Sequence, residues 1–194
     1  KGALVARDAD ILGAMGRAGL ARVGISLTTL DPRLSRSMEP RAAGPSRLLA
    51  AIRALADAGC PVRVMLAPVI PAINDHEIEA ILQAAREAGA TSATMGVLRL
   101  PGEVAQIFRD WLDECFPDRA ARVMKLVREM HGGRDHDPAF GRRMRGRGPY
   151  AALLRRRFET AAARLGYAEP APLRLDLFRP PRPGSDRQPD LFGP

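Results

Sequence analysis

The sequence is constrained most by a unit that occurs three times: a helical pattern that ends in Ala-Gly and is followed within a few residues by an apolar run. The helix ends are Ala18-Gly19, Ala58-Gly59 and Ala88-Gly89. Glycine directly after a helix is typical of a C-terminal cap. With the apolar run Ala3-Leu4-Val5 as a first strand, three strand–helix units and a fourth strand are predicted over residues 1–100. This alternation predicts α/β structure, with parallel strands and right-handed crossover helices in a barrel or a doubly wound sheet.

The predicted loops are long after the strands and short after the helices. The longest one, residues 26–42, follows the predicted strand Val23–Thr28. Within it, Asp31-Pro32 predicts the start of a short helix, with an N-cap followed by proline at the first helical position. Farther along, Asn74 followed by Glu77 predicts a capping box. Because loops at the carboxyl ends of strands carry the chemistry in such folds, we expect the functional site there.

The chain after residue 100 has a helical pattern, and its tail is rich in proline. Near the start of the chain, Ile11, Leu12 and Met15 have helical spacing and predict the first helix, which Gly19 closes. A later helix has one apolar stripe, made of Val104, Ile107, Phe108, Trp111 and Leu112. We therefore predict α/β structure at 1–100, in part of a (β/α) barrel or in a doubly wound sheet, a basic helical extension at 101–168 and a disordered tail at 169–194.

The net charge of +8 is almost all arginine, since the chain has two lysines. Residues 119–164 contain thirteen Arg or Lys against four Asp or Glu. That excess favours a polyanion such as DNA, and equally fits a solvated helical surface. The candidate nucleic-acid contacts are Arg142, Arg143, Arg145 and Arg147.

Two further patterns concern the location of the protein. No run of eighteen apolar residues predicts a membrane span. The two cysteines, Cys60 and Cys115, are far apart in the sequence and form no disulfide framework, which favours a reducing cytoplasm.

The predicted strand ends offer groups for binding more than for proton transfer. Ser26 and Thr28 alternate with apolar residues and so share one face of their strand, where they could bind a sugar or amino-acid group or be satisfied inside a small core. Arg41 could grip a carboxylate bidentately or pair with Glu39 at the surface. Arg99 ends the last predicted strand.

Other candidate groups lie in loops. Pro68-Val69-Ile70-Pro71, followed by Asn74, predicts a rigid loop at a strand end. His131 and His136, with two neighbouring aspartates, could ligate a metal, although such loop clusters are more often solvated. No catalytic triad or phosphate-binding loop occurs, so a bound cofactor would have to supply the reactivity.

Five segments together resemble a bacterial radical SAM family, the DNA repair photolyase-like group related to spore photoproduct lyase. In order, they are Leu27-Thr28-Thr29-Leu30-Asp31-Pro32, Met38-Glu39-Pro40-Arg41-Ala42, Ala67–Pro71 with Asn74–Glu77, Leu98-Arg99-Leu100-Pro101-Gly102, and Phe140-Gly141-x-Arg143-Met144-Arg145-Gly146-x-Gly148-x-Tyr150. The resemblance implies a partial (β/α)6 barrel. It also implies a [4Fe–4S] cluster, held by a Cys-x3-Cys-x2-Cys loop, that reductively cleaves S-adenosylmethionine (SAM) to a 5′-deoxyadenosyl radical.

This chain contains no such cysteine motif, and Cys60 and Cys115 cannot supply it. Lys1-Gly2-Ala3-Leu4-Val5 resembles the third strand of the family, so the chain resembles the C-terminal portion of a radical SAM protein. The complete protein would then be an enzyme of the lyase class, and this portion alone would be inactive. By the same resemblance, the SAM contacts would be Ser26, Thr28, Arg41, Pro68, Asn74 and Arg99.

The tail carries a separate resemblance. Gln188-Pro189-Asp190-Leu191-Phe192 is similar to the peptide with which bacterial proteins bind the sliding clamp, Gln-Leu-Ser/Asp-Leu-Phe, with proline in place of the first leucine. In it Gln188, Leu191 and Phe192 would contact the clamp, Leu and Phe in a hydrophobic pocket. The same tail also contains Leu175-Asp176-Leu177-Phe178.

Three functional hypotheses remain at this point. The first is part of a radical SAM enzyme that acts on DNA. The second is a noncatalytic DNA-associated module that uses residues 119–164 and the tail. The third is a different (β/α) enzyme, whose catalytic groups lie on strands outside this chain.

Overall fold

A computed structural model describes residues 2–141 and 143–180. Four predicted contact residues lie outside the described residues, namely Arg142, Gln188, Leu191 and Phe192. The main elements are α1 Ala9–Arg17, β1 Val23–Ser26, α2 Pro32–Met38, α3 Pro45–Asp57, β2 Val62–Val69, α4 Ile78–Glu87, β3 Ser92–Val97, α5 Val104–Cys115, α6 Pro117–Met130 and α7 Gly148–Arg164. Two 3₁₀ helices, Ala3–Asp8 and Asp75–Glu77, precede α1 and α4.

The described strands form one parallel sheet in the order β1-β2-β3. Val23 pairs with Val62, and Arg63 pairs with Ser92. Each crossover contains a helix, α3 between β1 and β2 and α4 between β2 and β3. The predicted α/β class, a partial barrel of parallel strands with crossover helices, is confirmed.

The predicted first strand, Ala3–Val5, is wrong. These residues begin a 3₁₀ helix that contacts α3 and runs into α1. Val5 packs on the core while Leu4 is 83% exposed. A three-residue apolar run fits one helical turn as well as a strand, and its position against α3 decides between them. The sheet of the described residues therefore has three strands and not four.

The predicted first helix is present as α1, which packs on the core through Leu12 and approaches its neighbours through its glycines. Ile11 and Met15 are 59% and 39% exposed, whereas Gly13 and Gly16 are buried. A Cβ on Gly13 would lie 2.1 Å from the carbonyl oxygen of Ala58. The helix therefore approaches the turn between α3 and β2 more closely than any side chain would allow.

Two hydrophobic cores are built on this frame. The first lies between the sheet and helices α3, α4 and α7. The second joins α2, α5 and α6 to Ile70 and Ile73, which follow β2, and to Leu98 and Leu100, which follow β3. The second core thus covers the carboxyl ends of the strands.

The last helix returns to the α/β part of the chain. Arg157 on α7 forms two hydrogen bonds, of 2.8 and 2.6 Å, with the carboxylate of Glu79 on α4. Beyond α7 the backbone N–H of Ala168 donates to Thr91 O (3.2 Å) and that of Arg174 to Gly19 O (2.9 Å). The first part of the predicted disordered tail therefore crosses the amino side of the sheet. The predicted domain boundaries stay a prediction.

Both cysteines are free, with Cys60 buried and Cys115 exposed. Within residues 2–141 and 143–180, no helix is long and apolar enough to cross a membrane. The cytoplasmic location stays a prediction.

Candidate cofactor cradle

The sheet has one face packed by helices and one open face. Ile25 of β1 and Val62, Val64 and Leu66 of β2 belong to the core on the packed face. Side chains alternate along a strand, so the paired register assigns the intervening residues to the open face. These residues are Gly24, Ser26, Arg63, Met65, Ala67, Ser92, Thr94 and Gly96. Small side chains dominate on β1 and β3, and Ser92 and Gly96 among them are buried.

Ser26 and Thr28 lie at the carboxyl end of β1. They alternate with Ile25 and Leu27, which are 2% and 0% exposed, as the sequence predicts. Ser26 is half-buried and Thr28 is buried. Their position at a strand end fits hydrogen bonding to a polar ligand, and their contact with SAM stays a prediction.

Asn74 joins the ends of β1 and β2. Its Oδ1 accepts a hydrogen bond from the backbone N–H of Ile70 (2.6 Å), and its Nδ2 donates to Thr28 O (2.8 Å) and Pro68 O (3.0 Å). The residue is 2% exposed. The predicted capping role is wrong, since the side chain makes no cap hydrogen bond. Its amide is occupied by backbone groups, so the geometry assigns it a positioning role; its contact with SAM stays a prediction.

Glu77 makes the second connection between the two loops. Its carboxylate accepts hydrogen bonds from Thr29 Oγ1 (2.5 Å) and from the backbone N–H of Leu30 (2.7 Å), instead of closing a capping box. Thr29 Oγ1 in turn accepts from the backbone N–H of Asp31 (3.0 Å). Asp31 caps α2 by accepting from the N–H of Arg33 (2.7 Å), which confirms the predicted N-cap. The 26–42 loop is therefore held in place by residues more than 40 positions away along the chain.

Arg41 lies in the same loop on an exposed shelf. It lines a shallow depression together with Gly2, Glu39, Pro40 and Ala42. Arg41 is exposed to solvent. The carboxylate contact predicted for it stays a prediction.

A groove of about 420 Å³ opens at the carboxyl ends of the strands. Met38 borders it from α2, Pro68 and Ile70 from the loop after β2, and Leu98 from the loop after β3. The wall opposite α2 is the apolar side of α5. The groove therefore lies beside the open face, between α2 and α5.

Aromatic side chains form the α5 wall of this groove. Trp111 packs against Phe108 and Phe116, with ring centroids 5.5 and 5.3 Å apart. Its Nε1 donates to Ser37 Oγ on α2 (2.8 Å), which fixes the width of the groove. A groove with an aromatic wall suits a flat aromatic group such as a purine ring.

The sequence predicted α5 as a helix with one apolar stripe and did not predict this groove. Of that stripe only Leu112 is fully buried, while Val104 and Ile107 are 46% and 65% exposed. One sequence feature could have predicted the groove. The apolar stripe of α5 is too wide for one buried helix face, and it contains the single tryptophan of the chain.

Two histidines meet beyond the end of β3. His131 is 1% exposed, and its Nε2 donates to Leu98 O (2.8 Å), since a carbonyl oxygen can only accept. Its Nδ1 and that of His136 have no hydrogen-bond partner in the structure, and the two rings are 6.2 Å apart. Burial and then the neighbouring His131 lower the pKa of His136 below its ordinary value. A solvated loop cluster is thus wrong for His131.

The metal alternative for these histidines is not supported by the position of Asp135. Asp135, one of the two aspartates proposed with them, pairs with Arg109 and with Arg128 instead. Among the described residues, no three His, Cys, Asp or Glu side chains are grouped as metal ligands would be. Arg99 is half-buried near the same place and adds positive charge beside His136.

The loop between α6 and α7, which carries Arg143, Arg145 and Arg147, lies at the carboxyl end of β3. The backbone N–H of Val97 donates to Met144 O (3.0 Å), and a Cβ on Gly96 would lie 3.0 Å from Cε of Met144. Arg143, Arg145 and Arg147 are exposed. The loop thus closes part of the open face with Met144 and presents arginines to solvent.

The fold and the cradle define a class: parallel strands with an open inner face and a ligand groove at their carboxyl ends. The family model of the Radical SAM superfamily matches residues 3–85, which supports a radical SAM protein. Radical SAM proteins generally use SAM and a [4Fe–4S] cluster.

The curated relatives include uncharacterized proteins from Mycobacterium bovis and from two strains of Mycobacterium tuberculosis. Each is 33% identical over 130 residues, which cover 66% of this chain and 38% of the relative. The chain thus matches little more than a third of the length of these relatives. No solved structure matches the chain significantly.

The described residues supply groups of the kinds that SAM needs and do not supply the ligands of the cluster. These groups are the exposed Arg41, which lines one depression, and the aromatic wall of the groove. A [4Fe–4S] cluster needs thiolate ligands. Cys60, at the amino end of β2, and Cys115, at the end of α5, are the two cysteines of the chain, and they lie on different elements.

Proposed function

We propose that this chain provides the SAM-binding half of a radical SAM enzyme of the photolyase-like group, with the cluster ligands outside these 194 residues. One observation carries the proposal: the carboxyl ends of three parallel strands open onto small side chains and an apolar groove. The match of residues 3–85 to the superfamily supports it.

In this proposal the residues of the chain bind and orient SAM. Ser26 and Thr28 hydrogen-bond its sugar or amino-acid part, and Arg41 pairs with its carboxylate. The groove between Pro68 and Trp111 takes the purine ring. Asn74 and Glu77 keep the two strand-end loops in register, so that these groups remain at fixed positions. The cluster, when bound, supplies the electron for reductive cleavage of SAM.

The proposal is tested by SAM binding to the full-length, cluster-loaded protein. Ser26→Val removes a polar group from the open face, and we expect SAM to bind about tenfold more weakly, as the loss of roughly 1.4 kcal/mol implies. Ser46→Val, at an exposed position of α3, is the matched control and should bind SAM normally. Equal affinity of both variants, or no 5′-deoxyadenosine from the reduced wild-type protein, would contradict the proposal.

We propose DNA as the substrate class, and one observation supports it. Arg143, Arg145 and Arg147 are exposed in the loop whose Met144 accepts a hydrogen bond from Val97, at the carboxyl end of β3. The same observation favours the second candidate, a noncatalytic DNA-associated module. The two differ in one respect, since only the enzyme couples DNA binding to SAM cleavage.

The salt dependence of duplex binding tests both. Replacing the three arginines with alanine should lower the slope of log K against log salt by about 0.9 for each lost phosphate contact. Replacing Arg33, Arg36 and Arg53, which are also exposed, removes the same charge elsewhere and should leave the slope nearly unchanged. Absence of binding at low salt would contradict both DNA proposals.

We further propose the bacterial sliding clamp as a partner of the terminal peptide, through Gln188, Leu191 and Phe192. The support is the likeness of residues 188–192 to the clamp-binding peptide. Deleting these five residues from the full-length protein should weaken binding to the purified clamp. Unchanged affinity would refute this use of the terminal peptide.

A further inference from the structure

The tail contains the same three residues twice. Asp176-Leu177-Phe178 recurs as Asp190-Leu191-Phe192, fourteen positions later. The two pentapeptides are Arg174–Phe178 and Gln188–Phe192. The first keeps the leucine that the second replaces with proline, and the second keeps the glutamine that the first replaces with arginine. Each copy therefore supplies what the other lacks of one docking pattern.

The first copy presents its apolar side chains to solvent. Leu175, Leu177 and Phe178 are 79%, 51% and 72% exposed. The backbone N–H of Phe178 donates to Leu175 O (3.1 Å), so these residues form a single turn. Exposing three large apolar side chains within four residues has a cost in water, and such a patch marks an interaction site.

The polar residues of this copy are satisfied within the peptide. Arg174 pairs with Asp176 through two contacts, of 3.1 and 2.6 Å. The charged side chains therefore neutralise each other beside the apolar ones. What remains for a partner is an apolar surface of two leucines and a phenylalanine, next to the exposed Arg179.

The first copy is tethered to the amino side of the sheet. The backbone N–H of Arg174 donates to Gly19 O (2.9 Å), in the turn between α1 and β1. The segment before it lies beside Thr91, at the start of β3. The groove proposed for SAM lies at the opposite, carboxyl ends of the strands. A partner bound here would leave that groove open.

We propose that residues 174–178 are a second docking peptide for the sliding clamp, in which Leu177 and Phe178 enter an apolar pocket and Leu175 adds contact. The recurrence of Asp-Leu-Phe in one tail and its exposure in a tethered turn carry the inference. It extends the terminal-peptide proposal and is independent of the SAM proposal.

The test measures binding of the full-length protein to the purified bacterial sliding clamp. Leu177→Ala with Phe178→Ala should weaken binding about tenfold, which corresponds to roughly 1.4 kcal/mol. Combining these changes with deletion of 188–192 should abolish binding. Phe140→Ala is the matched control, because Phe140 is 90% exposed and outside both copies, and it should bind like wild type. A synthetic peptide of residues 172–180 should compete for the clamp, and its alanine-substituted form should not.

The outcomes separate the proposals. If the Leu177/Phe178 variant binds like wild type while deletion of 188–192 removes binding, the inference is overturned and the terminal peptide stands alone. If residues 175–178 are protected from hydrogen exchange in the free full-length protein, another part of that protein covers them and the inference is overturned as well. If wild type does not bind the clamp, both clamp proposals are overturned. SAM cleavage is measured on the same preparations, and failure there would count against the enzyme proposal alone.

Discussion

Replacing Asn74 with alanine should lower the free energy of unfolding by more than the loss of one hydrogen bond would. The change removes three hydrogen bonds, to Ile70 N, Thr28 O and Pro68 O. At about 1 kcal/mol net for each bond, the expected loss is about 3 kcal/mol. The side chain is 2% exposed, so water cannot easily replace the lost partners.

Urea unfolding, followed by the fluorescence of Trp111, the single tryptophan, measures this loss. With a slope of about 2 kcal/mol per molar urea, the midpoint should fall by about 1.5 M. Asn74→Asp should be equally harmful, because an oxygen would replace the amide that donates to two carbonyls. Gln83→Ala, which breaks only an exposed bond to Glu87, is the control and should cost less than about 0.5 kcal/mol. A midpoint shift below about 0.5 M for Asn74→Ala would refute the positioning role.

Three further predictions concern packing and pH. Tyr150→Phe should cost about 1–3 kcal/mol, because it removes the hydroxyl that donates to buried Asp75. Burial, and next this hydrogen bond, raises the pKa of Tyr150 from 10.0 to about 12. The contribution of Tyr150 to stability is therefore complete below pH 10.0 and is lost as the pH rises towards about 12. Titration of the tyrosine absorbance and of the unfolding midpoint should show this loss. Gly13→Ala should cost about 1–3 kcal/mol in urea unfolding, since its Cβ would meet Ala58 O at 2.1 Å. The pKa of His136 is lowered from its ordinary value of 6.5, so the contribution of the neutral imidazole to stability is complete above pH 6.5 and is lost as the pH falls below that value. His136→Gln should remove this part of the change in melting temperature with pH.

Two of these predictions have a matched control variant. For Gly13→Ala the control is Gly44→Ala, because a Cβ on Gly44 meets nothing within 4 Å. For His136→Gln it is His76→Gln, at an exposed position. Equal losses in the two glycine variants, or equal pH profiles in the two histidine variants, would contradict the packing and the burial described above. A stability that does not change between pH 10.0 and about 12 would contradict the Tyr150 contact.

Some parts of the fold follow from local sequence alone. The Ala-Gly helix ends and the apolar runs after them predicted a parallel α/β arrangement, because helix caps and strand periodicity depend on neighbouring residues. The Asp31-Pro32 start of α2 was predicted for the same reason. The three-residue run Ala3–Val5 was not, because its conformation depends on α3, which it contacts and which comes much later in the chain.

The candidate site shows the same division. The sequence predicted that Ser26 and Thr28 lie at a strand end, since alternation is a local property. It could not predict that Asn74 and Glu77 bind that loop, because the partners are about 46–48 positions apart in the chain and meet only in the folded sheet. From neighbouring residues alone, both side chains were predicted to cap a helix. In the structure they bond to the 26–42 loop instead.

The sequence by itself determined the class of fold, the order of the helices and strands after residue 8 and the segments that resemble a radical SAM protein, because each depends on residues close together in the chain. The tertiary structure decided which face of α1 is buried, how α2 and α5 form the groove, and that Leu175, Leu177 and Phe178 stay exposed. These properties depend on which surfaces meet. A pattern of apolar residues shows that a surface is to be covered, and only the packed structure shows which other residues cover it or leave it open to a partner.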